Sequence, residues 1–192
     1  NSHVIYRVTG GGMTLLAGTV NTAGTADGTG TAARFNYPWG IECDAAGNVF
    51  VADAGNHSIR KITPAGVVTT LAGLSGTPGS ADGTGNAARF NNPNDVKVDT
   101  AGNVYVSDGG NNTIRKVTSG GVVTTLAGQA GSAGSTDGTG SAARFNFPTC
   151  VAVDAAGNVY AGEWNNATIR KITPAGVVTT LAGLAGSFGS TD

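Results

Sequence analysis

Short runs of β-branched and aromatic residues, each closed by Gly, Asn, Asp or Pro, recur along the whole chain, and no segment of useful length carries helical periodicity. Four such runs follow one another at 41–44, 49–53, 58–62 and 67–71, and they predict four strands. The gap Asp44-Ala45-Ala46-Gly47-Asn48 holds Gly where a hairpin needs positive φ, and Thr63-Pro64-Ala65-Gly66 has the composition of a tight turn. The one helical candidate is Asn86-Ala87-Ala88-Arg89-Phe90, about a turn long, inside a Gly-rich connection over 74–93. A connection of that length is expected to pack against something.

The whole pattern returns every 55 residues. Ala33-Arg34-Phe35 recurs as Ala88-Arg89-Phe90 and Ala143-Arg144-Phe145, and Gly47-Asn48-Val49-Phe50 as Gly102-Asn103-Val104-Tyr105 and Gly157-Asn158-Val159-Tyr160. Laid over each other, 74–128 and 129–183 share 35 identities in 55 positions. A four-stranded meander cannot bury both of its faces alone. Repetition at this period meets that need by stacking sheets around an axis, as a β-propeller does.

Within that frame 1–18 is a half blade supplying a third and a fourth strand, 19–73, 74–128 and 129–183 are three complete blades, and 184–192 begins another connection. The expectation is therefore an all-β propeller of four-stranded antiparallel blades in an incomplete ring, since closed rings use about four to eight blades. Its first and last faces would be open apolar surface with unpaired edges. The segment is accordingly expected to belong to a longer chain or to form a homo-oligomer whose copies complete one another.

The elements Pro38 to Asp44, Gly47-Asn48-Val49-Phe50-Val51-Ala52-Asp53 and Asn56-His57-Ser58-Ile59-Arg60-Lys61-Ile62 resemble the NHL repeat, and the resemblance recurs in register three times. It is similar to a bacterial form with long Asp-Gly-Thr-Gly and Ala-Ala-Arg-Phe connections. The family's Asn-His pair stands at Asn56-His57, but the other copies read Asn111-Asn112 and Asn166-Ala167. Some propellers of this type are lyases that hold a metal through several His. This chain has only His3 and His57, both at the repeating position, so no metal site and no cofactor are expected.

Charge narrows the function classes further. Charged residues are 12% of the chain and the formal net charge is −1, so neither a nucleic-acid footprint nor an anionic-membrane footprint exists, and no run approaches a membrane span. Low charge with abundant Thr, Asn and Gly points to an extracellular or cell-surface setting. Ten of the eleven basic residues occupy repeating positions, as do ten of the twelve acidic ones, leaving Lys97, Glu42 and Asp95. Charges present in every unit read as scaffold parts, with Arg34-type groups bonding carbonyls and Asp27-type carboxylates holding the connections. Glu42 and Lys97 fall on the same rung of adjacent innermost strands and are expected to form an inter-blade ion pair.

Cys43 and Cys150 are not equivalent positions and are a blade apart, too far for the roughly 7 Å Cα separation of a disulfide, so two buried thiols are expected. The Asp-Gly-Thr-Gly loops lack the Lys of a phosphate loop and the carboxylates of a calcium loop, and read as structural turns. Asn56, Asn111 and Asn166 each open a glycosylation sequon at a turn expected to be exposed.

Variation among units concentrates on one propeller face. Tyr37, Asn92 and Phe147 correspond, as do Trp39, Asn94 and Thr149, and Asp53-Ala54-Gly55 becomes Glu163-Trp164-Asn165. Tyr37, Trp39, Phe147 and Trp164, with Asp95 and Glu163 as nearby carboxylates, are therefore the candidate surface for a protein or carbohydrate partner, or for further copies of the chain. The expected function is a non-enzymatic binding or self-assembling scaffold. The alternatives are a structural subunit of a ring or open filament, or a segment of a propeller lyase or hydrolase whose catalytic residues lie elsewhere.

Overall fold

The computed structural model describes residues 2–189; Asn1 and residues 190–192 lie outside the described residues, and with them the end of the last expected connection. The strands are β1 (Val4–Thr9), β2 (Gly12–Gly18), β3 (Gly28–Thr29), β4 (Pro38–Cys43), β5 (Val49–Asp53), β6 (Ser58–Ile62), β7 (Val67–Ala72), β8 (Gly83–Thr84) and β9 (Pro93–Val98). They continue with β10 (Val104–Asp108), β11 (Thr113–Val117), β12 (Val122–Ala127), β13 (Gly138–Thr139), β14 (Pro148–Val153), β15 (Val159–Glu163), β16 (Thr168–Ile172) and β17 (Val177–Ala182). All pairing within the sheets is antiparallel, in one two-stranded sheet, β1-β2, and three larger ones.

Each larger sheet has five strands rather than the expected four. Its order is β3-β7-β6-β5-β4, repeated as β8-β12-β11-β10-β9 and β13-β17-β16-β15-β14. The extra strand is a two-residue piece of the preceding connection, in which Gly28 and Thr29 pair with Val68 and Val67. Asp27 clamps it there, because its carboxylate accepts from both the backbone N–H and the hydroxyl of Thr70. The helical candidate is also corrected. Only a 3-10 turn forms, at Gly85–Ala87, and Ala88 leaves it extended at φ −70°, which carries Ala88 and Phe90 into the core.

Neighbouring sheets stack face to face, and each of three cores lies between two of them. Val49, Val51, Ile62 and Val68 face Ile5 and Ala17 of the two-stranded sheet, while Phe50, Ala52, Ile59 and Ala72 face Val96, Val104, Val106 and Val117 of the next. Period-2 alternation therefore divides β5 between two cores and buries it throughout. Each connection adds a fully buried ring, Phe35, Phe90 or Phe145, contributing about 1.5–3 kcal/mol of burial apiece. Innermost strands β4, β9 and β14 adjoin in that order.

The stack is unclosed. Tyr6, Val8, Met13 and Leu15 are exposed at one end and Ile169, Leu181, Leu184 and Phe188 at the other. This corrects the thiol expectation: Cys43 and Cys150 are unpaired but both exposed. Cys43 lies beside the half sheet, where inner strands are lacking, and Cys150 lies on the sheet that nothing covers from behind.

Candidate functional site

The variable loops owe their shape to a recurring backbone device. Tyr37, Asn92 and Phe147 adopt φ of 49°, 49° and 54°, each just before a Pro. The left-handed region is disfavoured for bulky side chains, so each loop needs external support. Asn36 N–H donates to Asp53 Oδ1 at 2.7 Å, Ala54 N–H to the Tyr37 carbonyl at 3.2 Å and Gly55 N–H to the Asn36 carbonyl at 2.9 Å. A Cβ at Gly55 would stand 2.7 Å from the Asn36 side chain, so Gly lets this loop pack closely; the third unit, which carries Asn165 there, keeps the Trp164 N–H bond to the Phe147 carbonyl and joins Asn165 to Asn146 through their side chains.

The preceding sheet supplies the last support. Tyr37 N–H donates to His3 Nδ1, Asn92 N–H to His57 Nδ1, and Phe147 N–H to Asn112 Oδ1. His and Asn thus do the same work at the repeating position, that of a hydrogen-bond acceptor. Partial burial holds the His57 pKa below the ordinary imidazole range and keeps that acceptor neutral.

Tyr37, Trp39, Asn92, Asn94 and Phe147, from three successive loops, gather around one cavity of about 240 Å³ floored by Ala54 and Gly55. Tyr37 is 49% and Trp39 62% exposed. Asn94 is buried and donates to the Pro148 carbonyl, bracing one loop against the next. Trp164, 72% exposed, lines a different groove of about 380 Å³ with Thr149, Glu163, Ile169 and Phe188, on the open rear of the third complete sheet. The structure therefore gathers Tyr37, Trp39 and Phe147 and leaves Trp164 at the flank. Asn92 and Asn94 belong to the cavity as well; their signal was their correspondence with Tyr37 and Trp39.

Both candidate carboxylates are engaged internally. Glu163 is buried, accepts from Asn146 N–H, Asn166 Nδ2 and Thr168 Oγ1, and pairs with Arg170 at 3.0 Å. Asp53 and Asp108 do the same for Arg60 and Arg115, so Glu163 is a longer substitute in one scaffold position. Asp95 accepts from Val96 N–H and, across the inter-sheet gap, from Val151 N–H. Glu42 Oε2 lies 3.0 Å from Lys97 Nζ, and Asp95 Oδ1 lies 3.7 Å from it. Burial pulls the Lys97 pKa down, but the two carboxylates outweigh it and hold the ammonium above its usual range. Among the described residues no set of three His, Cys, Asp or Glu gathers as metal ligands.

The sequon asparagines are not at an exposed turn. Asn56, Asn111 and Asn166 are all buried. Asn56 Nδ2 donates to the Gly24 carbonyl and Asp53, Asn111 Nδ2 to the Gly79 carbonyl and Asp108, and Asn166 Nδ2 to the Gly134 carbonyl and Glu163. The nitrogen that a glycan would occupy is in each case spent on holding the connection to the second strand.

Comparison with known proteins agrees with this architecture. The NHL repeat model matches residues 35–62 and 90–117. The human NHL repeat-containing protein 3 is 30% identical over 130 residues, covering 64% of this chain and 34% of the human protein. A Bacteroides thetaiotaomicron protein of unknown function superposes with a TM-score of 0.73 at 28% identity, over 88% of this chain and 42% of its own. An auxiliary nutrient binding protein from Bacteroides ovatus superposes with a TM-score of 0.65 at 25% identity, over 90% and 42%. The chain thus spans about a third of that human relative and about two fifths of those solved structures.

Proposed function

We propose that this NHL-repeat chain is a non-enzymatic binding scaffold, exported or displayed at a cell surface, whose contact face is the Tyr37–Trp39–Phe147 cavity. The observation that carries the reading is the division of labour between side chains. The repeating Arg60, Arg115 and Arg170 are consumed in fixed internal pairs, whereas the positions that differ from unit to unit present aromatic faces and amides around one concavity. Exposed rings flanked by Asn suit the apolar face and hydroxyl edge of a sugar. The likeness to a nutrient binding protein supports the same reading.

A glycan array probed with the chain and with Trp39→Ala tests it. Binding to a defined set of glycans that falls at least about tenfold with Trp39→Ala is the expected result, the loss of one stacked ring being worth ~1.4 kcal/mol or more. Glycan binding that is absent, or indifferent to Trp39, would remove the cavity from consideration.

A further inference from the structure

The three loops that gather around the cavity are not held alike. Tyr37 N–H donates to His3 Nδ1 at 3.2 Å and Asn92 N–H to His57 Nδ1 at 3.1 Å, whereas Phe147 N–H donates to Asn112 Oδ1 at 2.8 Å. An amide oxygen accepts at every pH. An imidazole nitrogen accepts only while neutral, because protonation sets a second donor against the first.

The Asn92 loop depends on this bond most. The Tyr37 and Phe147 carbonyls each accept a further support, from Ala54 N–H at 3.2 Å and from Trp164 N–H at 3.1 Å. Gly109 N–H makes no such bond to the Asn92 carbonyl. What remains is Gly110 N–H to the Asn91 carbonyl and Asn91 N–H to Asp108 Oδ1, both one residue back. Asn92 itself stands at φ 49° directly before Pro93, a backbone state that a residue with a side chain keeps only under restraint. It lines the cavity with Tyr37 and Trp39.

No charged partner fixes the proton of His57. The charged groups on the segments around it are Asp27, Arg34, Asp53, Arg89 and Asp108. Asp27 and Asp53 pair with Arg60, and Asp108 pairs with Arg115. Arg34 and Arg89 each donate to two carbonyls of their own connection. Partial burial alone holds the His57 pKa below the ordinary imidazole range. Asp108, the other titrating support of this loop, is pushed up to about 6 by burial.

We propose that His57 is a positioning residue that fixes the Asn92 side of the cavity while neutral and frees it when protonated, so that the cavity sheds a bound sugar on acidification. The shedding of a sugar rests on the function proposed above. The freeing of the loop stands on the hydrogen bonds alone.

Amide NMR of His3→Asn, which leaves His57 as the one imidazole of the chain, tests this against His3→Asn/His57→Asn. Between pH 7.5 and 5 the Asn92 amide of the single-imidazole chain is expected to lose at least about fivefold in protection factor, in step with the titration of the His57 ring, as the loss of one hydrogen bond implies. Phe147 N–H, held by Asn112, keeps its protection, and His57→Asn restores that of Asn92. Asp108 titrates in both chains, so the difference between them belongs to His57. Probed on the glycan array at the same two pH values, the single-imidazole chain is expected to lose at least about fivefold more binding at pH 5 than the double variant. Protection of Asn92 that stays constant, or that falls equally in both chains, overturns the proposal. So does array binding that falls equally in both. An array blank at both pH values overturns the sugar reading and the shedding of sugar with it, and the Asn92 amide then decides by itself whether His57 governs the loop.

Discussion

Arg115 Nη1 lies 2.9 Å from Asp108 Oδ2, and neither side chain reaches solvent. The same guanidinium donates to the Arg89 and Ala81 carbonyls and to Asp82, and it lies 5.2 Å over the Phe90 ring. One cation thus ties the middle and the end of a long connection to the second strand, and Arg60 and Arg170 repeat the arrangement. Removing one member of a buried pair leaves an uncompensated charge, which typically costs about 3–5 kcal/mol. Urea unfolding of Arg115→Met is expected to show a loss of that order. Arg115→Lys should not restore it, because a single ammonium cannot span four divergent acceptors. Wild-type stability in Arg115→Lys would reduce the pair to a surface-like contact.

Two groups, His57 partly buried and Asp108 fully buried, tilt the pH profile in opposite directions. His57 has a folded pKa below its unfolded value near 6.5, so its contribution is full above that value and declines as pH falls below it. Burial pushes Asp108 up to about 6 despite Arg115, so its contribution is greatest below the unfolded value near 3.8 and is lost as pH rises through about 6. Relative to wild type, His57→Asn, which keeps an acceptor of the Asn112 kind, should gain stability as pH drops from 7.5 to 5. Asp108→Asn should lack the gain on acidification that the carboxyl supplies. Urea midpoints at three pH values would read both slopes.

Ala167 adopts φ 55° at the position where the other units place His57 and Asn112. A Cβ in the left-handed region costs about 1–2 kcal/mol. Ala167→Gly should therefore raise the unfolding free energy by about 1 kcal/mol, offset slightly by the freer unfolded chain. An unchanged or lower thermal midpoint would contradict this.

The Glu42–Lys97 pair is about one-third exposed on each side, which puts its coupling near 0.5 kcal/mol rather than several. A double-mutant cycle with Glu42→Gln and Lys97→Met should give that value at low salt and less in 1 M NaCl. A coupling of zero at low salt would leave the pair no part in holding β4 against β9.

Much of this architecture is written in the sequence because β-branched runs closed by turn residues, returning every 55 residues, expose the four main strands and the stacking they require. The fifth strand escapes for a plain reason: Gly28–Thr29 is too short to show a period, and what holds it is Asp27 reaching Thr70 far along the chain. Asn56 reads as a turn residue because its partners, the Gly24 carbonyl and Asp53, become neighbours only after the connection folds back. Glu163 looks like an individual feature beside Trp164, yet the column it shares with Asp53 and Asp108 already marks it as scaffold. Cys43 and Ile41, the latter 44% exposed, are open to solvent because the two-stranded sheet β1-β2 covers only part of the face on which they lie.

Hydrogen exchange at β1 compared with β11 tests the unclosed stack most directly. The two strands are equivalent in sequence position, but only β11 has partners on both sides. The account predicts fast exchange at the alternate amides of Val4–Thr9 that point away from β2, against protection close to the global stability throughout Thr113–Val117. Equal and complete protection of the two strands in the isolated chain would contradict it.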